Sequence, residues 1–408
     1  MSQLTDQRPE PIVLTRFEEL REAYRAKDLR QSGYDEGAVV TADTLLDLHG
    51  TAHRDRRRLE NRLFRRETFR YYEREVLPPC IAEVLQPAVT AGHGDLISIG
   101  QRTVVNVTAE IAGLDRVEGT EEETKALHSL AVKFSEGATL VHSVRDRNEV
   151  RREVNDALDM MDKRFLQPSI DRRRALLARF ATGAIGESEL PVDVLTTLLR
   201  NEDQLALPAD VIRREVALYL QAGSHSTSNA FAHTMHLLFN WFERAPGGRQ
   251  RVLDSPSFAQ RCFHEALRLH PASPVATRLA LAPITLRNGR HIPTGTTVVL
   301  DLTAANRDET IWGTTAATFD PDRRVPAGLT PWGNSFGGGI HACIGMELDG
   351  GTEPSSQPDE ASEQLMGTVA LLVTAVMAGG VHPDPSSPPV RDLATTRVNW
   401  SRYPVVFR

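Results

Sequence analysis

Ten residues near the C-terminal end, FGGGIHACIG at positions 336–345, constrain this chain more than any other stretch. They hold four glycines, a histidine and one of only three cysteines in 408 residues. A run this rich in glycine turns tightly, because glycine enters left-handed backbone without a steric penalty. A tight turn lets main-chain N–H groups approach a side chain and donate to it, and the side chain placed to receive them is Cys343. The stretch therefore reads as a protected thiolate. Two other readings compete. One is a buried structural cysteine. The other is the loose dinucleotide fingerprint Gly337-x-Gly339-x-x-Ala342, which lacks a preceding strand and an acidic residue about 20 positions on in a βαβ setting.

The other two cysteines, Cys80 and Cys262, are far from Cys343 and form no C-x-x-C pair. That sparse, odd set argues against a disulfide framework and for a reducing cytoplasm. A formal charge of −7 argues against nucleic acid as the main partner. The start, MSQLTDQRPEPIVLTRF, shows no basic segment followed by an apolar one, so no signal peptide is expected. The longest apolar run, residues 369–381, is interrupted by Gly379-Gly380. It falls short of the roughly 20 apolar residues that a bilayer requires, so a buried helix is expected there and no membrane insertion.

Residues 11–15 read as a short strand, 17–26 as a helix and 31–43 as a loop. Residues 51–66 read as a helix with Leu59, Leu63 and Phe64 as its apolar stripe and a very basic remainder. Residues 67–200 look mostly helical. A long apolar helix spans 211–242 and another spans 257–270. Short β-branched runs at 277–282, 284–286 and 296–303 read as strands, and 312–331 as irregular. Residues 349–361 (DGGTEPSSQPDEA) read as a flexible insertion, followed by a helix over 363–377 and an extended tail over 398–407. Residues 1–10 read as loose. The outline is a mainly α chain with small β-sheets, and no break in composition divides residues 1–408 into two domains.

Three further constellations stand out. Glu265 and Arg268 lie at i and i+3 on an apolar helix, where they can pair; such a pair is tolerable in the interior only with further partners. Ala222-Gly223-Ser224-His225-Ser226-Thr227 interrupts the long helix with a glycine and small polar residues, which costs helix stability and reads either as close helix packing or as a functional segment. His53 and Arg57 lie at i and i+4 on the basic helix.

Phe-x-x-Gly-x-His-x-Cys-x-Gly over Phe336, Gly339, His341, Cys343 and Gly345 resembles the haem-binding loop of the cytochrome P450 family. The resemblance covers nearly the whole chain from Pro11 onward, and implies a single haem-enclosing domain. By it, Cys343 ligates the iron of haem b, Phe336, Gly337, Gly339 and Gly345 shape the loop, and His341 meets a haem carboxylate. His53, Arg57 and Arg278 occupy the positions of the family's propionate clamp. Glu265 and Arg268 match its Glu-x-x-Arg helix, with Arg323 as the third partner. Ala222 and Gly223 match the helix segment that crosses the haem, where a kink admits oxygen and water. There His225 replaces the usual acid and Ser226 the usual alcohol, with Thr227 next, so the proton relay is altered. A histidine there is expected to carry a proton near neutral pH.

Residues 305–308 and 319–323 read like the soluble bacterial type. Three departures are expected: a short segment before Pro11, a short loop before the basic helix, and the insertion at 349–361. By position, residues 31–46, 218–226, 274–277 and 400–404 line the pocket. The function implied first is a monooxygenase of secondary metabolism, acting on an apolar small molecule with electrons from ferredoxin and ferredoxin reductase. Arg54, Arg56, Arg58, Arg62, Arg65 and Arg66 would form the docking patch for that donor. The alternatives are a peroxide-using or non-oxygenating coupling or cyclising enzyme, a non-catalytic haem-binding protein, and a haem-free helical binding protein.

Overall fold

The computed structural model describes residues 9–353 and 364–408. The expected looseness of residues 1–8 and the expected insertion over 354–361 lie outside the described residues.

The organising element is a 34-residue helix, Ala209–Phe242. Its side chains are apolar on most of its circumference, so it can be stable only with neighbours on several sides. It lies against Leu96–Ala112, Glu121–Ala138, Pro256–Leu269 and Thr368–Ala378. Leu220, Phe231, Ala232, Met235 and Leu238 on it are fully buried. Its approach to Leu96–Ala112 is close because two glycines remove bulk. A Cβ on Gly223 would sit 2.5 Å from the Thr108 methyl carbon, and one on Gly100 would sit 2.8 Å from the Phe231 ring. Gly223 is thus a packing glycine, and the helix continues unbroken through it.

A four-stranded sheet lies to one side, in the order Ile12–Leu14, Thr297–Asp301, Val275–Ala280, Leu29–Gln31. The first pair is parallel and the others antiparallel, with Val13 opposite Val299 and Gln31 opposite Arg278. This register aims Arg278 across the sheet toward the loop that carries Cys343. A second sheet joins His93–Asp95, Pro404–Phe407 and Val381–Pro383. The hairpin Val390–Arg391 with Trp400–Arg402 carries Arg397, between its strands, to the cavity described below.

Several expectations need correction. Residues 31–43 are not a loop: Leu29–Gln31 is a strand, Asp35–Gly37 a tight turn and Ala38–Thr41 a one-turn helix. These pieces are too short to show a period, and the helix is held by Val40 in the core and by Gly37 against the carbonyls of Gly137 and Ala138. The basic helix ends at Glu60, and a new helix starts at Arg66 after an extended Arg65. Its buried face is not apolar but carries His53, Arg56 and Glu60, because charged partners on the long helix receive it. Arg56 is therefore no part of a surface patch, and Arg66 is ion-paired with Glu347 at 3.0 Å. Finally, Asp349 is not in a flexible segment. It lies on the short helix Met346–Gly350. The chain beyond is pinned where the Thr352 N–H donates to the Leu365 carbonyl at 2.9 Å and the Leu365 N–H to Thr352 Oγ1 at 3.1 Å.

Candidate active site

The cysteine loop is anchored before it is reached. Asn306 accepts the Asn334 N–H at 2.8 Å and donates to Ser335 Oγ at 2.9 Å. The Cys343 N–H donates to the Phe336 carbonyl at 2.9 Å and closes the turn. Gly339 has φ +65°, and a Cβ there would lie 1.9 Å from the Tyr24 carbonyl oxygen, so no other residue fits. Gly345 has an ordinary φ of −91°; its contribution is an N–H that lies against the Cys343 sulfur. Phe336 packs edge-on to Trp332, ring centroids 5.4 Å apart, and backs the loop. The Cys343 side chain lines a cavity of about 350 Å³. Burial pushes the thiol up to about 11, with the Gly345 N–H pulling the other way. A coordinated metal cation reverses that balance outright.

Three segments bring four basic side chains to one edge of this loop. The His53 and His341 rings are 4.3 Å apart. Arg57 Nη2 donates to the Ala342 carbonyl at 2.9 Å. Arg278 lies over the Tyr24 ring at 5.5 Å and acts electrostatically on His341. Their polar atoms are poorly partnered. Both ring nitrogens of His53 and Nε2 of His341 are sealed from solvent with no hydrogen bond. The Arg278 guanidinium reaches only the Thr277 carbonyl. Burial and then the neighbouring cations lower His53 to about 4 and His341 to about 3. The groups acting on Arg278 besides burial are tyrosines. Unpartnered buried donors are costly, and two arginines flanked by two neutral imidazoles, drawn together from three segments, suit a ligand with two carboxylates. The donor set and the sulfur together suit a haem.

Behind the loop, Arg268 is fully buried. It holds both carboxylate oxygens of Glu265, at 2.7 and 2.8 Å, and the carbonyls of Asn306 and Ala316, at 2.6 and 2.8 Å. Arg323 Nε completes Glu265 at 2.9 Å and also ties Trp312, Thr315 and Thr318. The same Asn306 that receives Arg268 anchors the start of the cysteine loop.

Ala222, Gly223, His225, Ser226 and Thr227 line the cavity. The chemistry there differs from the expected relay. Burial lowers His225 to about 3, so it is neutral at pH 7 and does not take up a second ring proton there. Asn229 Nδ2 lies 3.3 Å from its Nε2. Ser226 Oγ donates back to the Ala222 carbonyl at 2.5 Å. The acid at this wall comes from elsewhere: Asp349 faces the Thr227 hydroxyl, its carboxyl pushed up to about 7 by burial. Its Oδ1 has no partner.

The sequence reading missed two buried pairs and, as third and fourth features, two single side chains. Tyr219 Oη donates to Glu60 Oε2 at 2.5 Å, and Arg56 Nη1 donates to Glu215 Oε2 at 2.5 Å. Burial, with Glu215 nearby, drives the Glu60 carboxyl well above its usual range. The signal was present, since His53, Arg56 and Glu60 share a face of one helix and Glu215 and Tyr219 are i and i+4 on another. The third and fourth are Asp349, hidden in what reads as a linker, and Arg397, which also lines the cavity.

Residues 251–348 match the family model described as Cytochrome P450. Among curated proteins, the chain is similar to cytochrome P450 monooxygenase 91 of Postia placenta, 28% identical over 243 residues, which cover 48% of this chain and 43% of that protein. The chain matches less than half the length of the first curated relatives. Among solved structures, CalO2 superposes with a TM-score of 0.72 at 18% identity, covering 97% of this chain and 90% of that one. P450BioI, solved with a hexadec-9Z-enoic acid-ligated acyl carrier protein, superposes with a TM-score of 0.72 at 19% identity, covering 97% and 92%. Among the described residues no helix is long and apolar enough to cross a membrane.

Proposed function

We propose that this chain, which belongs to the cytochrome P450 family, is a haem-thiolate monooxygenase acting on a small molecule with an apolar body. The observation that carries the proposal is the pairing of Cys343, open to the cavity, with underpartnered imidazole and guanidinium groups at the edge of the same loop. Cys343 would ligate the iron of haem b, and His53, Arg57, Arg278 and His341 would hold the carboxylates. When bound, such a group supplies reductive dioxygen activation and transfer of one oxygen atom to substrate. The protein then has four tasks. The Gly345 N–H steadies the sulfur, and Phe336, packed edge-on to Trp332, backs the loop. Val104, Val107, Ile111 and Leu218 give the substrate a dry wall. The Thr227 hydroxyl with the Asp349 carboxyl holds an exchangeable proton near neutral pH, where His225 stays neutral. Arg54, Arg58, Arg62 and Arg65 are exposed together and offer a basic face to an acidic electron donor of the ferredoxin type, itself served by a ferredoxin reductase.

The test is the absorption spectrum of the reduced, CO-bound protein. A thiolate-type band that disappears in Cys343→Ala supports the proposal; a band that survives the substitution overturns it. The neutral, buried His225 favours a second reading, in which the enzyme uses peroxide or does not insert oxygen. Turnover with peroxide exceeding turnover with reductant and oxygen would select it.

A further inference from the structure

One charged group in the cavity serves neither the sulfur nor the cation set. Arg397 lies in the segment that leads into the strand Trp400–Arg402, and its side chain lines the cavity. It is partly buried, and that burial lowers its affinity for its proton. Its Nε is sealed from solvent with no hydrogen bond. The only other group acting on it is a tyrosine, Tyr34. Its nearest electrostatic dependents are the neutral imidazoles His225 and His142. No carboxylate among the described residues forms an ion pair with it. Glu136, close by through Ser143, is already taken by Arg145 at 3.1 Å.

The arginine is held in place by its backbone. Its N–H donates to Thr395 Oγ1 at 3.2 Å, and its carbonyl accepts the Asn399 N–H at 3.0 Å. The neighbouring Thr396 N–H donates to the His142 carbonyl at 3.1 Å. Trp400, three residues on, packs on His233 and His236 with ring centroids 4.7 and 4.8 Å away. A desolvated cation fixed in this way and left without a counter-ion is expensive for the fold. A ligand that brings the missing anion removes that expense on binding. Arg397 comes from a different segment of the chain than Arg57, Arg278 and His341, and the imidazoles it acts on are His225 and His142.

We propose that Arg397 is an anion-binding subsite and that the substrate is an amphiphile, an organic carboxylate seated on Arg397 with its apolar body along the Val104, Val107 and Leu218 wall. This narrows the substrate class within the monooxygenase reading and rests on it. The fork of the guanidinium matches two carboxylate oxygens, which a lysine cannot do.

The experiment compares the haem-loaded protein with medium-chain, long-chain and arylalkyl carboxylic acids and with the methyl ester of each. Binding is read by the spin-state shift of the haem band and, independently of the haem, by equilibrium dialysis. The expected result is at least one acid binding about ten- to a hundredfold more tightly than its own ester. Arg397→Gln should abolish that preference, and Arg397→Lys should retain part of it. Neither variant should change haem content, because among the described residues the guanidinium makes no hydrogen bond or ion pair that the fold would lose. Equal binding of every acid and its ester overturns the proposal. So does a loss of haem in Arg397→Gln with the acid preference intact, which would assign Arg397 to the cofactor's own carboxylates. Failure of the monooxygenase reading looks different: dialysis still shows the acid preference while the reduced, CO-bound spectrum lacks the thiolate band.

Discussion

Arg268 is the residue whose removal the structure condemns most clearly. Replacing it with methionine keeps its bulk and deletes four hydrogen bonds at once, two to Glu265 and one each to the carbonyls of Asn306 and Ala316. Breaking a buried pair costs about 3–5 kcal/mol, and each carbonyl left without a donor adds about 1–3 kcal/mol. Glu265 keeps Arg323 Nε at 2.9 Å and the Asp320 N–H at 3.2 Å, which offsets part of the loss. The net is on the order of 5 kcal/mol, a large share of the roughly 5–15 kcal/mol that holds a domain together. Arg268→Lys keeps the charge but cannot span both carboxylate oxygens and both carbonyls, so about half that loss is expected. Urea unfolding followed by far-UV circular dichroism measures both. Because Asn306 also anchors Asn334 and Ser335, haem incorporation should fall in step with stability. Adding Glu265→Gln to Arg268→Met should recover part of the loss, since the stranded carboxylate is then neutral. If Arg268→Lys unfolds within about 1 kcal/mol of the parent, the network is not what secures the loop.

Other variants test other parts of the reasoning. Gly223→Ala places a methyl 2.5 Å from the Thr108 methyl carbon; it should destabilise by about 1–3 kcal/mol, and Thr108→Ser in the same chain should recover most of this in thermal melts. His264 is buried with its Nε2 on the Gly350 carbonyl at 2.7 Å, and burial lowers it from 6.5 to about 4. The unfolded chain therefore takes up a proton first, and stability present at pH 7 is lost as pH falls from 6.5 toward 4. Unfolding midpoints of His264→Gln should fall less steeply over that interval. Asp349 has the opposite sign: its folded value is raised to about 7 from 3.8, so its penalty appears as pH rises from about 4 to 7. Asp349→Asn should match the parent near pH 4 and exceed it in urea midpoint at pH 8.

How much of this was legible in the sequence depends on how local each signal is. The long helix was readable because its apolar pattern persists over many turns, and Glu265 with Arg268 because i and i+3 share a face. The short helix Ala38–Thr41 was not, because four residues cannot display a period and its place is set by Gly37 meeting another helix. The buried face of the basic helix was misread for a related reason. Leu59 and Leu63 look like a stripe, yet His53, Arg56 and Glu60 turn inward because Glu215 and Tyr219, some 160 residues later, receive the last two (|i−j| 159 for both contacts). Burial of charge is decided by partners, and partners distant in sequence carry no local mark. Asp349 was hidden differently: its sequence neighbours are small and polar like those of a linker, and only the fold reveals that it belongs to the helix Met346–Gly350.

Charge inside the cavity can be divided by what it lacks. The cations at the cysteine loop lack an anion and lie beside a thiol, so a cofactor that brings both a metal and two carboxylates answers both deficits. Arg56 lacks nothing, because Glu215 meets it at full burial, and it can be counted as scaffold. Arg397 lacks an anion but lies beside neutral imidazoles and a tyrosine, away from the sulfur. A second cofactor carboxylate would be redundant there, whereas a substrate carboxylate would fix which carbon of an apolar body faces the reacting centre. The same arginine that sets affinity would then set regiochemistry, because the distance from the anchored carboxylate to the oxidised position is fixed by the cavity and not by the chain length of the substrate. Lengthening an acid by successive methylenes should therefore leave the oxidised carbon at a constant count from the carboxyl end, and a product series that instead tracks the methyl end would show that the apolar wall, not Arg397, positions the substrate.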